Sequence, residues 1–321
     1  MKRYFIIALI SVLTIIMSSC QHKELCYDHP HSGTLNVVID WSKAPLATPA
    51  TMELLLFPKN GGPALYHQFA NRNGGSLKVP SGVYRAICLN PGEGANRYSS
   101  LNTSFEDFRV LTRPVSDEEA LVQMRSLLSA NVPNATNHDD ESTILEPDTL
   151  YSSHLDDEIL VVANCNRTVI FYPERRTPHY TVILKNVRNL KYTKGRMASV
   201  SDLSCGYMIG LDRPIDSGHT QSFTLGMVDE TTLQGTLTVF GHRHDQEAHH
   251  FLSVYFTLLD GRGICYNFDI TRQICTPELE GEMDVTIVID MGVEIPKPIV
   301  NGSGFHPTVD DWKNENIEIS M

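Results

Sequence analysis

The amino-acid sequence predicts an all-β protein, two tandem β-sandwiches with one short crossover helix, and three observations carry that prediction. Apolar residues recur with a period of two in separate stretches: Leu35, Val37, Ile39 and Trp41; Tyr180, Val182 and Leu184; Val285, Ile287 and Ile289. That period places one face of a strand in a core. Turn clusters such as Gly61-Gly62-Pro63, Asn73-Gly74-Gly75 and Pro80-Ser81-Gly82 punctuate these stretches at short intervals. The chain has 321 residues, more than one compact domain usually holds, which favours two modules over one.

Residues 1–19 stand apart from this pattern. Lys2 and Arg3 precede an unbroken apolar stretch from 4 to 17, shorter than the roughly 20 residues a helix needs to cross a hydrocarbon core. Ser18 and Ser19 then lead into Cys20, so the segment reads as a leader removed on export. Met17-Ser18-Ser19-Cys20 resembles the lipobox of bacterial lipoproteins, with Met17 where Leu is usual. The resemblance implies cleavage before Cys20 and acylation of its thiol. Each buried CH₂ of an acyl chain is worth roughly 0.8 kcal/mol, so several chains on one residue anchor stably.

Residues 20–33 are polar and read as a tether, 34–164 as the first sandwich and 165–321 as the second. In the first, the strand over 35–39 is followed by one over 52–57, stopped by Pro58. Leu77 and Val79 lead through Pro80-Ser81-Gly82 into a strand over 83–89. Ser116-Asp117-Glu118-Glu119 is a capping box, and Leu121, Met124 and Leu128 share one helical face before Pro133, which places the crossover helix there. A polar loop over 131–148 precedes strands over 159–163 and 169–172. In the second sandwich, strands over 180–184, 236–240, 251–259 and 285–289 are expected. Asp260-Gly261-Arg262-Gly263 turns the chain into a hairpin partner over 264–270.

Composition excludes some functions. Loss of the leader takes the formal charge from −12 to −14 with no basic run to offset it, which argues against nucleic acid as a partner. Six cysteines besides Cys20 remain: Cys26, Cys88, Cys165, Cys205, Cys265 and Cys275. Cys88 and Cys265 sit within strand-like alternation, as small apolar residues do. Core thiols and at most one disulfide are expected. No C-x-x-C pair exists, so no zinc ribbon is expected.

One cluster could support catalysis: Gly241-His242-Arg243-His244-Asp245-Gln246-Glu247-Ala248-His249-His250. On a strand, His242 and His244 point the same way, as a His-x-His metal pair does. The spacing departs from the metallo-β-lactamase pattern, and the polarity fits a solvated loop between two strands. No G-x-S-x-G elbow, P-loop or dinucleotide fingerprint is present, and acidic pairs such as Asp139-Asp140 and Asp156-Asp157 lie in polar loops. No catalytic residue, resident metal or cofactor is assigned, and the chain is expected not to be an enzyme.

Several pieces together resemble one family: the lipobox; Leu25-Cys26-Tyr27-Asp28-His29-Pro30-His31 before the first strand; Val38-Ile39-Asp40-Trp41; Pro80-Ser81-Gly82-Val83-Tyr84; and Asp311-Trp312 before a final Ile-Glu-Ile. The arrangement is similar to Bacteroidetes surface lipoproteins of the FimB-like fimbrial anchor superfamily, in an uncharacterised branch. That resemblance implies two transthyretin-like β-sandwich domains, no enzymatic activity, an outer-membrane address facing the cell exterior, and lipid on Cys20. It implies fimbrial or other surface protein subunits as partners, held through sheet edges by strand addition. Asp148-Thr149-Leu150 resembles the O-glycosylation sequon of that phylum and marks Thr149 as a candidate acceptor, and Lys23-Glu24 partly matches its surface-export signal. Two other readings stay open: a glycan-binding outer-membrane lipoprotein, and a metal-dependent hydrolase using His242 and His244.

Overall fold

Strand formation begins where the period-two pattern places it. The computed structural model describes residues 31–115, 142–243, 249–276 and 281–299, and the backbone of 313–316. The N-terminal part contains β1 (Ser32–Ile39), β2 (Met52–Pro58), β3 (Leu65–Phe69), β4 (Gly74–Pro80), β5 (Gly82–Leu89), β6 (Asn96–Tyr98) and β7 (Arg109–Thr112). After residues 116–141, where the expected crossover helix lies outside the described residues, come β8 (Thr143–Ile144), β9 (Tyr151–His154), β10 (Ile159–Val161), β11 (Asn166–Phe171) and β12 (Glu174–Arg175).

Two sheets face each other in this part. One runs β11-β1-β4, with β1 and β11 parallel; the other runs β12-β9-β5-β2-β3, with β10 added to β5. Leu35, Val37 and Ile39 of the first sheet pack against Leu54, Leu56, Ala86 and Cys88 of the second. Trp41 closes the core: its Nε1–H donates to the Arg72 carbonyl at 2.9 Å and its ring meets Tyr151 edge-on. Strand β11 contributes Val169 and Phe171, which carries this core past residue 165, where the first sandwich was expected to end.

Strand β2 does not alternate, and its burial explains why. All residues from Met52 to Phe57 are buried. Leu54 and Leu56 enter the first core, while Leu55 and Phe57 enter a separate cluster with Ile87, Phe108, Val110 and Phe240. A strand buried on both faces reads as a continuous apolar run.

The C-terminal part contains β13 (His179–Lys185), β14 (Thr193–Leu203), β15 (Gly206–Met208), β16 (Arg213–Pro214), β17 (His219–Thr224), β18 (Gly226–Met227), β19 (Leu233–Thr238), β20 (Phe251–Leu258), β21 (Gly263–Asp269), the one-turn helix α1 (Thr271–Ile274), β22 (Asp284–Asp290) and β23 (Lys313–Asn316). A sheet ordered β18-β19-β13-β22 faces one ordered β23-β21-β20-β14-β17-β8. Tyr180, Val182, Leu184, Val285, Ile287 and Ile289 fill the core between them, as their period predicts. Gly261, at φ +92°, makes the turn between β20 and β21.

A small sheet, β16-β15-β7-β6, joins the two parts. It fits because Gly206 lacks a side chain: a Cβ there would lie 2.4 Å from the Val110 carbonyl oxygen. The described residues are nearly all strand and turn, in line with the all-β expectation.

Candidate functional site

Strands β3 and β4 each end a sheet. Among the described residues β3 pairs only with β2, and β4 only with β1. Unpaired edge strands carry a row of N–H and C=O groups available to an incoming strand. Between them runs a groove of about 410 Å³ whose walls include Leu54, Leu56, Leu65, Leu77 and Val79. The local sequence places these residues. The alternation Leu65, His67, Phe69 turns one face of β3 inward, and Gly74-Gly75 lets β4 approach β1, since Gly74 sits at φ +89° with the Val37 carbonyl beside it. Leu65 and Leu77 are only partly buried, so the groove floor is apolar and reachable.

Tyr66 stands on the rim, 48% exposed, and its Oη donates to Glu53 Oε1 at 2.7 Å. Burial first, then that bond to Glu53, pushes the Tyr66 phenol up to about 12, so it remains a donor throughout the physiological range. Lys78 and Pro80 also lie on β4; charged and proline residues on an edge discourage indiscriminate pairing.

A second concavity, about 750 Å³, lies among Lys43, Leu46, Tyr151, Arg175, Tyr207 and Met283. Its charges answer one another. Lys43 pairs with Glu174, Arg176 contacts Glu174 at 3.2 Å and Asp212 at 3.0 Å, and Tyr207 Oη donates to Asp212 at 2.9 Å. The hydrogen bond from Lys43 holds the Glu174 carboxyl below the usual range. Charges already paired within the fold make this a seam, whereas the β3/β4 groove offers backbone that is unpaired among the described residues.

The residues singled out from sequence fall in three places. Cys20, like Lys23-Glu24, lies outside the described residues. Thr149 is exposed between two anchored neighbours. Asp148 Oδ2 accepts from the backbone N–H groups of Glu93, Gly94, Ala95 and Asn96 at 2.8–3.1 Å, and Leu150 is buried. Asp148 and Leu150 thus have structural work of their own.

The histidine cluster divides. Residues 244–248, with His244, Asp245 and Glu247, lie outside the described residues. His249 is exposed, with Asp269 at 3.8 Å, and is not part of the cluster that His242 joins. His242 and His250 meet, ring centroids 5.1 Å apart and nearly perpendicular. The third member is Cys275, at the end of α1: one ligand atom from each of the three residues lies within 4.8 Å of the other two. Burial, then the Asp202 carboxylate, holds the Cys275 thiol above its ordinary value. Sequence reasoning paired His242 with His244 and missed Cys275, because the fold rather than spacing brings residue 275 to residue 242. The described cysteines 88, 165, 205, 265 and 275 are all free thiols; Cys88 and Cys265 are buried as expected, but Cys165 and Cys275 are exposed.

Comparison with known proteins follows the fold. A family model described as a domain of unknown function, DUF5119, matches residues 19–224. A curated relative from Bacteroides ovatus, named "Putative fimbrium anchoring subunit Fim4B", is 22% identical over 99% of this chain and 98% of its own length. Among solved structures, one described as a "putative adhesin" from Bacteroides ovatus superposes with a TM-score of 0.62 at 17% identity, covering 88% of this chain and 99% of that one. The fimbrial anchor protein Mfa2 from Porphyromonas gingivalis superposes with a TM-score of 0.51 at 13% identity, covering 81% and 90%. At those identities the two superpositions establish likeness of fold.

Proposed function

The chain belongs to the DUF5119 family, within the FimB-like fimbrial group that its sequence resembles, and from that premise we propose that it is a cell-surface subunit that receives a strand from a fimbrial or adhesive partner. The observation that carries this reading is the β3/β4 groove, where among the described residues two sheet edges lie open above an apolar floor. Strand addition uses both features: main-chain hydrogen bonds supply affinity, and alternate side chains entering the groove supply register. The occupant that fits is an extended segment of a second surface subunit with apolar residues at alternate positions. Kinship over nearly the full length of a protein named for fimbrium anchoring supports that choice of partner.

The same proposal includes lipid on Cys20, a polar tether over residues 20–30, and two sandwich modules divided after β12, at the outer face of the outer membrane. It assigns no catalysis. Thr149 is retained as the proposed glycan acceptor, to be checked by intact-mass measurement of wild type against Thr149→Ala.

The test is a photo-crosslinking amino acid placed at Leu77 in the full chain in its own bacterium. Crosslinks to a surface subunit are expected, and Leu65→Glu should abolish them. Crosslinks to residues 20–30 or 116–141 of the same chain would show that the edge is closed internally and would overturn the reading. Cys20→Ala should move the protein out of the membrane fraction.

A further inference from the structure

We propose that His242, His250 and Cys275 form a metal site that takes a single zinc ion as a structural clip between the β19–β20 loop and α1. The three donors are two imidazoles and one thiol, a set that suits a borderline-soft ion such as zinc and disfavours magnesium or calcium. Their ligand atoms lie within 4.8 Å of one another. Tetrahedral zinc, with Zn–N near 2.0–2.1 Å and Zn–S near 2.3 Å, needs its ligand atoms about 3.3–3.7 Å apart. The three groups therefore have to close by about 1 Å, and the exposed Cys275 side chain can supply that movement.

The surroundings orient the rings for such a site. His250 Nδ1 faces the Ser201 carbonyl oxygen at 3.4 Å. A carbonyl only accepts, so a neutral ring bonded there carries its proton on Nδ1 and its lone pair on Nε2. His242 Nδ1 lies 2.9 Å from Tyr180 Oη, an oxygen that can accept the Nδ1 proton and leave Nε2 for metal. Metal-binding histidines characteristically use one ring nitrogen for the ion and donate from the other to a neighbouring oxygen.

The backbone of each ligand is fixed. His242 bridges to Leu203 at the end of β14. The His250 N–H donates to Thr271 Oγ1 at 2.9 Å and its carbonyl accepts from Ile270 at 2.8 Å. The Cys275 N–H donates to the Thr271 carbonyl at 2.8 Å. Asp202, next to Leu203, is buried and adds negative potential without being needed as a ligand. Three protein ligands leave a fourth position to water. Unlike the groove, this site owes nothing to the fimbrial reading and stands if that reading fails.

The test uses the mature full-length chain, stripped with chelator and dialysed against zinc chloride in competition with a chromophoric chelator. One zinc per chain is expected. Cys275→Ser, a near-isosteric change at an exposed position, should weaken binding by roughly tenfold or more. In cobalt-loaded protein it should abolish the thiolate-to-cobalt charge-transfer band, and zinc should protect Cys275 from alkylation in the wild type. Equal zinc affinity in wild type and Cys275→Ser, or binding lost only with His244→Ala and His249→Ala, would place the ion on the loop histidines and overturn the proposal. So would a stoichiometry near zero.

Discussion

In the C-terminal sandwich both ends of the six-stranded sheet are short strands brought from elsewhere in the chain, two residues in β8 and four in β23. Strand β8, from residues 143–144, pairs parallel with β17, and β23, from 313–316, pairs parallel with β21. The facing sheet ends at β22, where the Gln273 side chain does the work of a strand: its Nε2 donates to the Val288 carbonyl at 3.1 Å and its Oε1 accepts from the Val288 N–H at 2.9 Å. In the N-terminal sandwich, β3 and β4 have no comparable cover among the described residues. The lesson is that an all-β chain can leave long edges on one module and short ones on the other by where it spends its short covering strands. The C-terminal module ends its six-stranded sheet on two- and four-residue strands, whereas the N-terminal one ends on strands of five and seven residues, the longer edges that the proposed strand addition would use.

The largest effect tests whether the two modules depend on each other. Phe108 is fully buried in the cluster between them and meets Phe57 at 5.7 Å between ring centres. Phe108→Ala should cost about 3–5 kcal/mol, the usual range for emptying an aromatic site. Thermal melts followed by limited proteolysis should show the joining sheet cut first. If the melting temperature barely moved, the cluster would be a passive contact and the open edge could be studied in isolation.

Next comes the groove itself. Leu77→Glu places a charge where an incoming strand would bury it, so partner capture should fall by roughly tenfold or more. Because Leu77 is only partly buried, stability should change by under about 1 kcal/mol. Equal loss of stability and capture would mean that the edge matters for folding and not for recruitment. The converse change, Gln273→Ala, removes the cover from β22 and should cost about 1 kcal/mol, since water replaces part of each lost bond. It should also raise self-association at high protein concentration, read by light scattering. A variant that stayed monomeric and equally stable would show that Gln273 is no guard, and the contrast between the modules would weaken.

Much of this contrast was legible only in part from sequence. The strands holding Leu35, Val37 and Ile39 or Val285, Ile287 and Ile289 could be read because one face is wet and the other dry. Strand β2 could be read as a strand, but its two-sided burial could not, since a continuous apolar run does not say what covers each face. The joining sheet was missed because its strands have two to four residues, too few to show a period. Edge exposure depends on sheet order, and Cys275 meets His242 only through the placement of α1, so neither has a local signature.

The smallest effect concerns the other end of the sheet that β3 leaves open. There β12 is tied down by ions: Glu174 holds Lys43 and Arg176, and Arg175 reaches Asp284 and the Met283 carbonyl of the C-terminal sandwich, both at 2.7 Å. The Lys43 hydrogen bond lowers the Glu174 carboxyl below its unfolded value of 4.5. A depressed carboxyl favours the folded state above the unfolded pKa, and that contribution disappears as pH falls through the folded one. Glu174→Gln should therefore melt slightly below wild type at pH 7, with the gap closing as pH falls through the lowered folded-state value. Lys43 is 56% and Glu174 34% exposed, so solvent screens the pair and about 1 M salt should close the gap as well. A gap that survived both acid and salt would show that β12 is held by packing, and the sheet would then have one edge closed by shape and the other left open, with charge playing no part in the difference.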